Sequence, residues 1–150
     1  TELAGSTSIV INEFMASNDS AFADPQGEFD DWIELRNLTN SVVDLSGLFL
    51  SDNAGNPRKW EFPAGTTIAA SGYLIVWADE DGSATPGLHA NFKLSASGEE
   101  ILLVDTDLNL NAVLDFVVYD SAQTDVSIGR TDKNPEPFIS MSPTPGFANE

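Results

Sequence analysis

Apolar residues in this chain recur with a period of two, in short runs, and almost every run ends at a turn signal. In "SIVINEF" (Ser8 to Phe14), Ile9 and Ile11 share one face. In "DWIELRN" (Asp31 to Asn37), Ile33 and Leu35 point one way while Trp32, Glu34 and Arg36 point the other. That alternation is the pattern of a half-buried strand. Leu48 and Leu50 alternate after a Ser-Gly turn, and "YLIVWA" (Tyr73 to Ala78) is apolar on both faces, as a central strand covered on each side requires. "EEILLVD", "AVLDFVVYD" and a weaker "DVSIGR" complete the series. Asp24-Pro25, Asp52 to Gly55, Pro63 to Gly65, Ser71-Gly72, Ser97-Gly98 and Asp107 to Asn109 punctuate the runs. Strands this short, with turns this dense, predict an all-β sandwich or barrel. No stretch holds helical spacing with caps at both ends.

Size and charge bound the function. A chain of 150 residues, 41% hydrophobic, builds one domain around one core. Twenty-four Asp and Glu against six Lys and Arg leave a net charge of −18. Such a surface repels phosphate backbones and anionic membranes and attracts cations and basic partners. The expectation is therefore no nucleic-acid partner and no direct membrane insertion; no apolar run approaches the roughly 18 to 20 residues of a span. There is no cysteine, which excludes disulfides and thiolate metal sites. "TELAGSTS" has neither the basic nor the apolar region of a signal peptide, so the chain reads as a mature or excised domain. Residues 1–7 are expected to form a tail, 8–141 the sandwich, and 142–150, rich in Pro and Ser, an extended strap or linker into another domain.

Five segments resemble the lamin-tail domains of bacterial secreted and surface proteins, in the same order. They are "INEFMASN", "DWIELRNLTNSVVDLSGLFLSD", "KWEFPAGTTIAASGYLIVWAD", "LHANFKLSASGEEILLVD" and "SPTPG", spanning Ser8 to Gly146. Leu35-Arg36-Asn37, Phe62-Pro63, Ile75-Val76-Trp77 and Gly98-Glu99-Glu100 stand where animal lamins carry a more distant version of the skeleton. The resemblance implies an immunoglobulin-like β-sandwich of about 7–9 strands, an extracellular or cell-surface setting, and no catalytic residues. Neither a coiled-coil rod nor a basic localisation run is present, so a filament role is not inherited.

His89 is the only histidine, so any Ser-His-Asp arrangement would need it; its apolar surroundings, Leu88 and Phe92, read instead as an edge-strand or loop position. Asp30 or Asp31 with Glu34, or Glu99 with Glu100, could form the paired carboxylates of a hydrolase, but no other feature builds a cleft. Calcium fits better, since it takes six to eight oxygens from loops such as this fold offers. Asn18, Asp19, Asp24, Glu28, Asp30 and Asp31 could converge on one ion if their loop folds back. Asp105, Asp107, Asn109 and Asn111 imitate an EF-hand opening, but Leu110 stands where glycine is required, so a polar hairpin turn is expected there. Asp79, Glu80 and Asp81 read as an exposed acidic turn. Trp32, Trp60 and Trp77 could instead form an aromatic ligand platform, though Trp77, in the doubly apolar run, reads as core. Trp32 either sits on the sheet's outer surface or packs under the acidic loop. An exposed Trp60 beside Arg58 and Lys59 would suit a partner contact.

These readings lead to a non-catalytic accessory or interaction module, attaching to a protein or surface partner or spacing a neighbouring domain. A calcium-stabilised spacer without a ligand of its own is the alternative, and a carboxylate hydrolase the third.

Overall fold

The alternating runs become strands in the computed structural model, which describes residues 8–82, 85–130 and 138–149; the tail expected at 1–7 lies outside them. In chain order the strands are β1 (Ile9–Met15), β2 (Asp31–Asn37), β3 (Val43–Asp44), β4 (Phe49–Ser51), β5 (Trp60–Glu61), β6 (Thr67–Ile68), β7 (Tyr73–Ala78), β8 (Leu88–Ala90), β9 (Glu99–Val104), β10 (Val113–Tyr119), β11 (Ser127–Gly129) and β12 (Ile139–Met141). These 12 strands exceed the expected number. Several are only two or three residues long, too short for any period to show in the sequence.

Six strands form one sheet in the order β12-β11-β1-β2-β7-β8, and four form another, β10-β9-β4-β5; β3 and β6 pair separately. The pairs are antiparallel apart from β7 with β8. Among the described residues, no helix is long and apolar enough to cross a membrane.

The main core lies between the two larger sheets. Ile11, Phe14, Ile33, Leu35 and Val76 meet Leu50, Ile101, Leu103, Val117 and Tyr119, with the rings of Phe14 and Tyr119 4.8 Å apart. Each such side chain contributes about 1.5–3 kcal/mol by leaving water. Gly98 allows β9 to start close to its neighbour: at φ 111°, a Cβ there would fall 2.3 Å from the Asp120 carbonyl oxygen.

The outer face of the six-stranded sheet is covered as well, which corrects the half-buried reading of β2. Met15, Trp32 and Trp77 form a second apolar cluster on that side. The β1–β2 loop folds down over it and places the Phe22 ring 5.7 Å from Trp32 and 5.2 Å from Trp77. Farther along the same strands, Glu13 and Glu34 are cross-strand partners, and residues 142–149 lie over both carboxylates. Every residue of β1 is buried. Strand alternation reports which residues share a face, but not whether a loop comes back to cover it.

Candidate functional site

The β1–β2 loop owes its shape to two side chains. Asn18 ties its ends together: Nδ2 donates to the carbonyls of Phe22 and Asp30, and Oδ1 accepts the amides of Ala21 and Phe22. Asp24 closes the tip, where its buried Oδ1 accepts the amides of Gln26 and Glu28 at 2.9 Å each. Gly27, at φ 89°, makes the reversal that brings Glu28 back beside Asp24.

This folding divides the six predicted calcium ligands. Oxygens of Asp24, Glu28 and Asp30 lie within 4.8 Å of one another. Asn18, Asp19, Asp30 and Asp31 line a neighbouring recess of about 230 Å³ together with Lys93. Asn18 has its amide committed to the loop, the Asp19 amide is held by Asp125, and Asp31 Oδ2 accepts the Leu94 amide at 3.0 Å. A single six-residue shell is therefore not what the loop builds. Asp30 belongs to both groups, and its Oδ2 is buried without a hydrogen-bond partner.

The electrostatics follow the geometry. Burial first, and then the charges of Asp79, Asp24 and Glu28, raise the Asp30 carboxyl above its ordinary value, with Lys93 opposing. Burial pushes Asp31 up to about 6 against the Leu94 N–H, and Asp30 adds to the rise.

Two residues that the sequence places outside the acidic loop complete the site. Asp79 comes from an expected exposed turn, and His89 from an expected edge-strand or loop position, which β8 at the end of its sheet bears out. Asp79 does not lie on an exposed turn but points inward, and His89, on β8, is buried. His89 Nδ1 contacts Asp79 Oδ2 at 2.5 Å, and Nε2 contacts the Pro86 carbonyl at 3.1 Å. Both partners are acceptors, so the protonated ring, with an N–H on each nitrogen, is the form that satisfies both contacts. Burial opposes that charge, but the bonds to Asp79 and Pro86 outweigh it and hold the pKa above its usual value. In that form the ring has no free lone pair to act as a base, and it sets a positive charge beside Asp79 and Asp24. The signal in the sequence was His89's place within an apolar strand run, where a charged ring demands a carboxylate that lies distant in the chain.

The proposed aromatic platform is corrected. Trp32 is fully buried under Phe22, and Trp60 is only 7% exposed, packed edge-on against Phe62 at 4.8 Å. Arg58 pairs with Asp107 at 2.8 Å and lies over the Phe49 ring, while Lys59 pairs with Asp52 at 2.7 Å. A neighbour of two cations in the sequence can still face inward, because alternation along β5 buries Trp60 and exposes Glu61. The carboxylate pairs fare no better as hydrolytic partners. Glu34 is closed beneath the C-terminal segment, and the adjacent Glu99 and Glu100 bond separate groups, the amides of Ser95 and Ala54. The stretch Asp105 to Asn111 is a hairpin turn with a 3₁₀ turn at Asp107–Asn109, as the failed EF-hand pattern implied.

No curated protein is similar enough to the chain to match it. The model of the family described as Lamin Tail Domain matches residues 3–131, a span that takes in the β1–β2 loop, His89 and both larger sheets through β11. With its immunoglobulin-like packing of sheets, the chain belongs to the lamin tail domain family, whose members are generally non-enzymatic structural or interaction modules.

Proposed function

We propose that the domain is an accessory module of a secreted or cell-surface bacterial protein, attaching it to a protein or surface partner or spacing a neighbouring domain. The observation that carries this reading is the β9–β10 hairpin. Its tip exposes Leu108 and Leu110, and β10 exposes Val113, Phe116 and Val118, the last two at 59% and 64%. Phe116 pairs across the strands with Leu102, which forms a small outer cluster with Phe49 and Val104. Five exposed apolar residues on one hairpin of a highly acidic domain make a surface patch of the kind that binds partners. The test is retention of the labelled domain on the envelope of cells that produce it. Retention of the native domain and its loss in Phe116→Asp/Val118→Asp are expected. Equal retention of both, or of neither, overturns the reading.

A second reading, that calcium locks the β1–β2 loop, is supported by the convergence of Asp24, Glu28 and Asp30 and by the unpartnered Asp30 Oδ2. Hard oxygen donors of this kind suit calcium. Thermal melting with calcium and with EDTA checks it, and a raised midpoint that Asp30→Asn abolishes is expected. An unchanged midpoint after calcium removal refutes it.

A further inference from the structure

The strand that carries Phe116 and Val118 also ends its sheet. β10 is hydrogen-bonded to β9 on one side only, and an edge strand aims half of its N–H and C=O groups away from the sheet. Among the described residues, no main-chain bond reaches Phe116 to Tyr119 from that open side. Folded proteins blunt such edges with bulges, inward charges or proline. β10 does so at its start, where a bulge lies between Val113 and Asp115. There Asp115 accepts the Ile11 amide at 2.8 Å and faces Arg130 at 3.3 Å. Beyond Asp115 the protection stops: Phe116-Val117-Val118-Tyr119 holds neither charge nor proline.

A groove of about 490 Å³ runs along this unprotected stretch. Asp115 to Ser121 form one wall, and Ile128, Phe138 and Ser140 form the other. Four residues of strand offer about 13 Å of edge.

We propose that this edge takes an extended segment of a partner protein as an added strand, and that the segment alternates apolar with basic residues. The inference rests on the interaction reading above and names its surface and the chemistry of its partner. The apolar half of the requirement comes from Phe116 and Val118, which an added strand meets as cross-strand neighbours on the outer face. The basic half comes from charge. Asp120 lines the groove in an exposed position, and Glu100 is the cross-strand neighbour of Val118. Each described Lys and Arg already faces a carboxylate or an aromatic ring of its own chain. A second copy of the chain would bring another −18 to the same edge, which opposes self-pairing.

The probe is a labelled eight-residue peptide alternating Val and Lys, titrated against the full chain by fluorescence anisotropy at physiological salt. Saturable binding is expected, at least ten-fold weaker when Glu replaces Lys and when Pro replaces a central Val, since Pro removes a ladder donor. Phe116→Lys/Val118→Lys lowers affinity at least ten-fold while the melting midpoint stays in place. Should that variant unfold, the Pro and Glu peptides against the native chain still decide the matter. Equal binding of the Pro peptide means adsorption by charge alone, and equal binding of the Glu peptide removes the basic requirement; either overturns the proposal. A concentration-dependent dimer that the Lys variant abolishes assigns the edge to a second copy and also overturns it. If the peptide fails to bind while cell-envelope retention still depends on Phe116 and Val118, strand addition falls and the surface-attachment reading stands.

Discussion

Glu13 on β1 and Glu34 on β2 face each other as cross-strand partners, and both side chains are fully buried. Hydrogen-bond donors compensate them. Glu13 accepts from the Ser127 hydroxyl and from the amide and hydroxyl of Thr144. Glu34 accepts from Asn12 Nδ2 and the Gly146 amide. Burial pushes Glu34 up to about 7 against those bonds, with Glu13 adding to the rise. The segment expected to be a strap or linker thus supplies three of these five donors to a buried acidic pair.

Stability is expected to fall as pH rises from about 4.5 to 8. Glu34 binds its proton up to about 7 in the folded chain and Asp31 up to about 6, both above their ordinary values. The unfolded chain therefore ionises first, and folding is progressively disfavoured through that window. His89 acts in the same direction. Its raised folded pKa gives stability that is complete below the ordinary histidine value and is lost as pH rises through the folded one. Thermal melts at pH 5 and pH 8 check this, with the higher midpoint at pH 5. Glu34→Gln is expected to remove about 3 kcal/mol of the pH dependence. The slope is the readout, because the amide loses one acceptor and shifts the midpoint at every pH.

Thr144→Val is expected to cost about 1–2 kcal/mol, the price of leaving Glu13 one donor short. Deleting residues 142–150 is expected to cost more, since Glu13 and Glu34 lose all their strap donors at once. The same deletion removes Asn149, whose Nδ2 donates to the carbonyls of Asn12 and Arg130. Chemical denaturation reads both effects. Amide exchange gives an independent check, with protection at Thr144 and Gly146 comparable to that of β1.

Trp60→Ala and Trp32→Ala are expected to destabilise the domain by about 3–5 kcal/mol each, as core truncations do. A surface platform behaves differently, losing a ligand while keeping its melting midpoint. Thermal melting of the two variants separates the roles, and an unchanged midpoint would contradict the packing described for both rings.

Much of the fold was legible because strand geometry is local. The period of two in "DWIELRN" and the doubly apolar "YLIVWA" correspond to β2 and to β7 inside its sheet. The brief strands β3, β5 and β6 left no such trace, since two residues carry no period. The candidate site was legible in part. Asp24, Glu28 and Asp30 share one loop and do converge, but Asp79, just after β7, and His89, on β8, reach it from elsewhere in the chain.

By itself, then, the sequence determined the strand periodicity, the resemblance to the lamin tail domain family and a net charge of −18. Those properties depend on neighbouring residues or on totals. Only the tertiary structure decided that Trp32 and Trp60 are core, that His89 is buried between Asp79 and Pro86, and that Glu13 and Glu34 lie under the C-terminal segment. The same holds for the β10 edge. Which face of a strand is covered, and which edge is left unpaired, depends on what distant segments pack there.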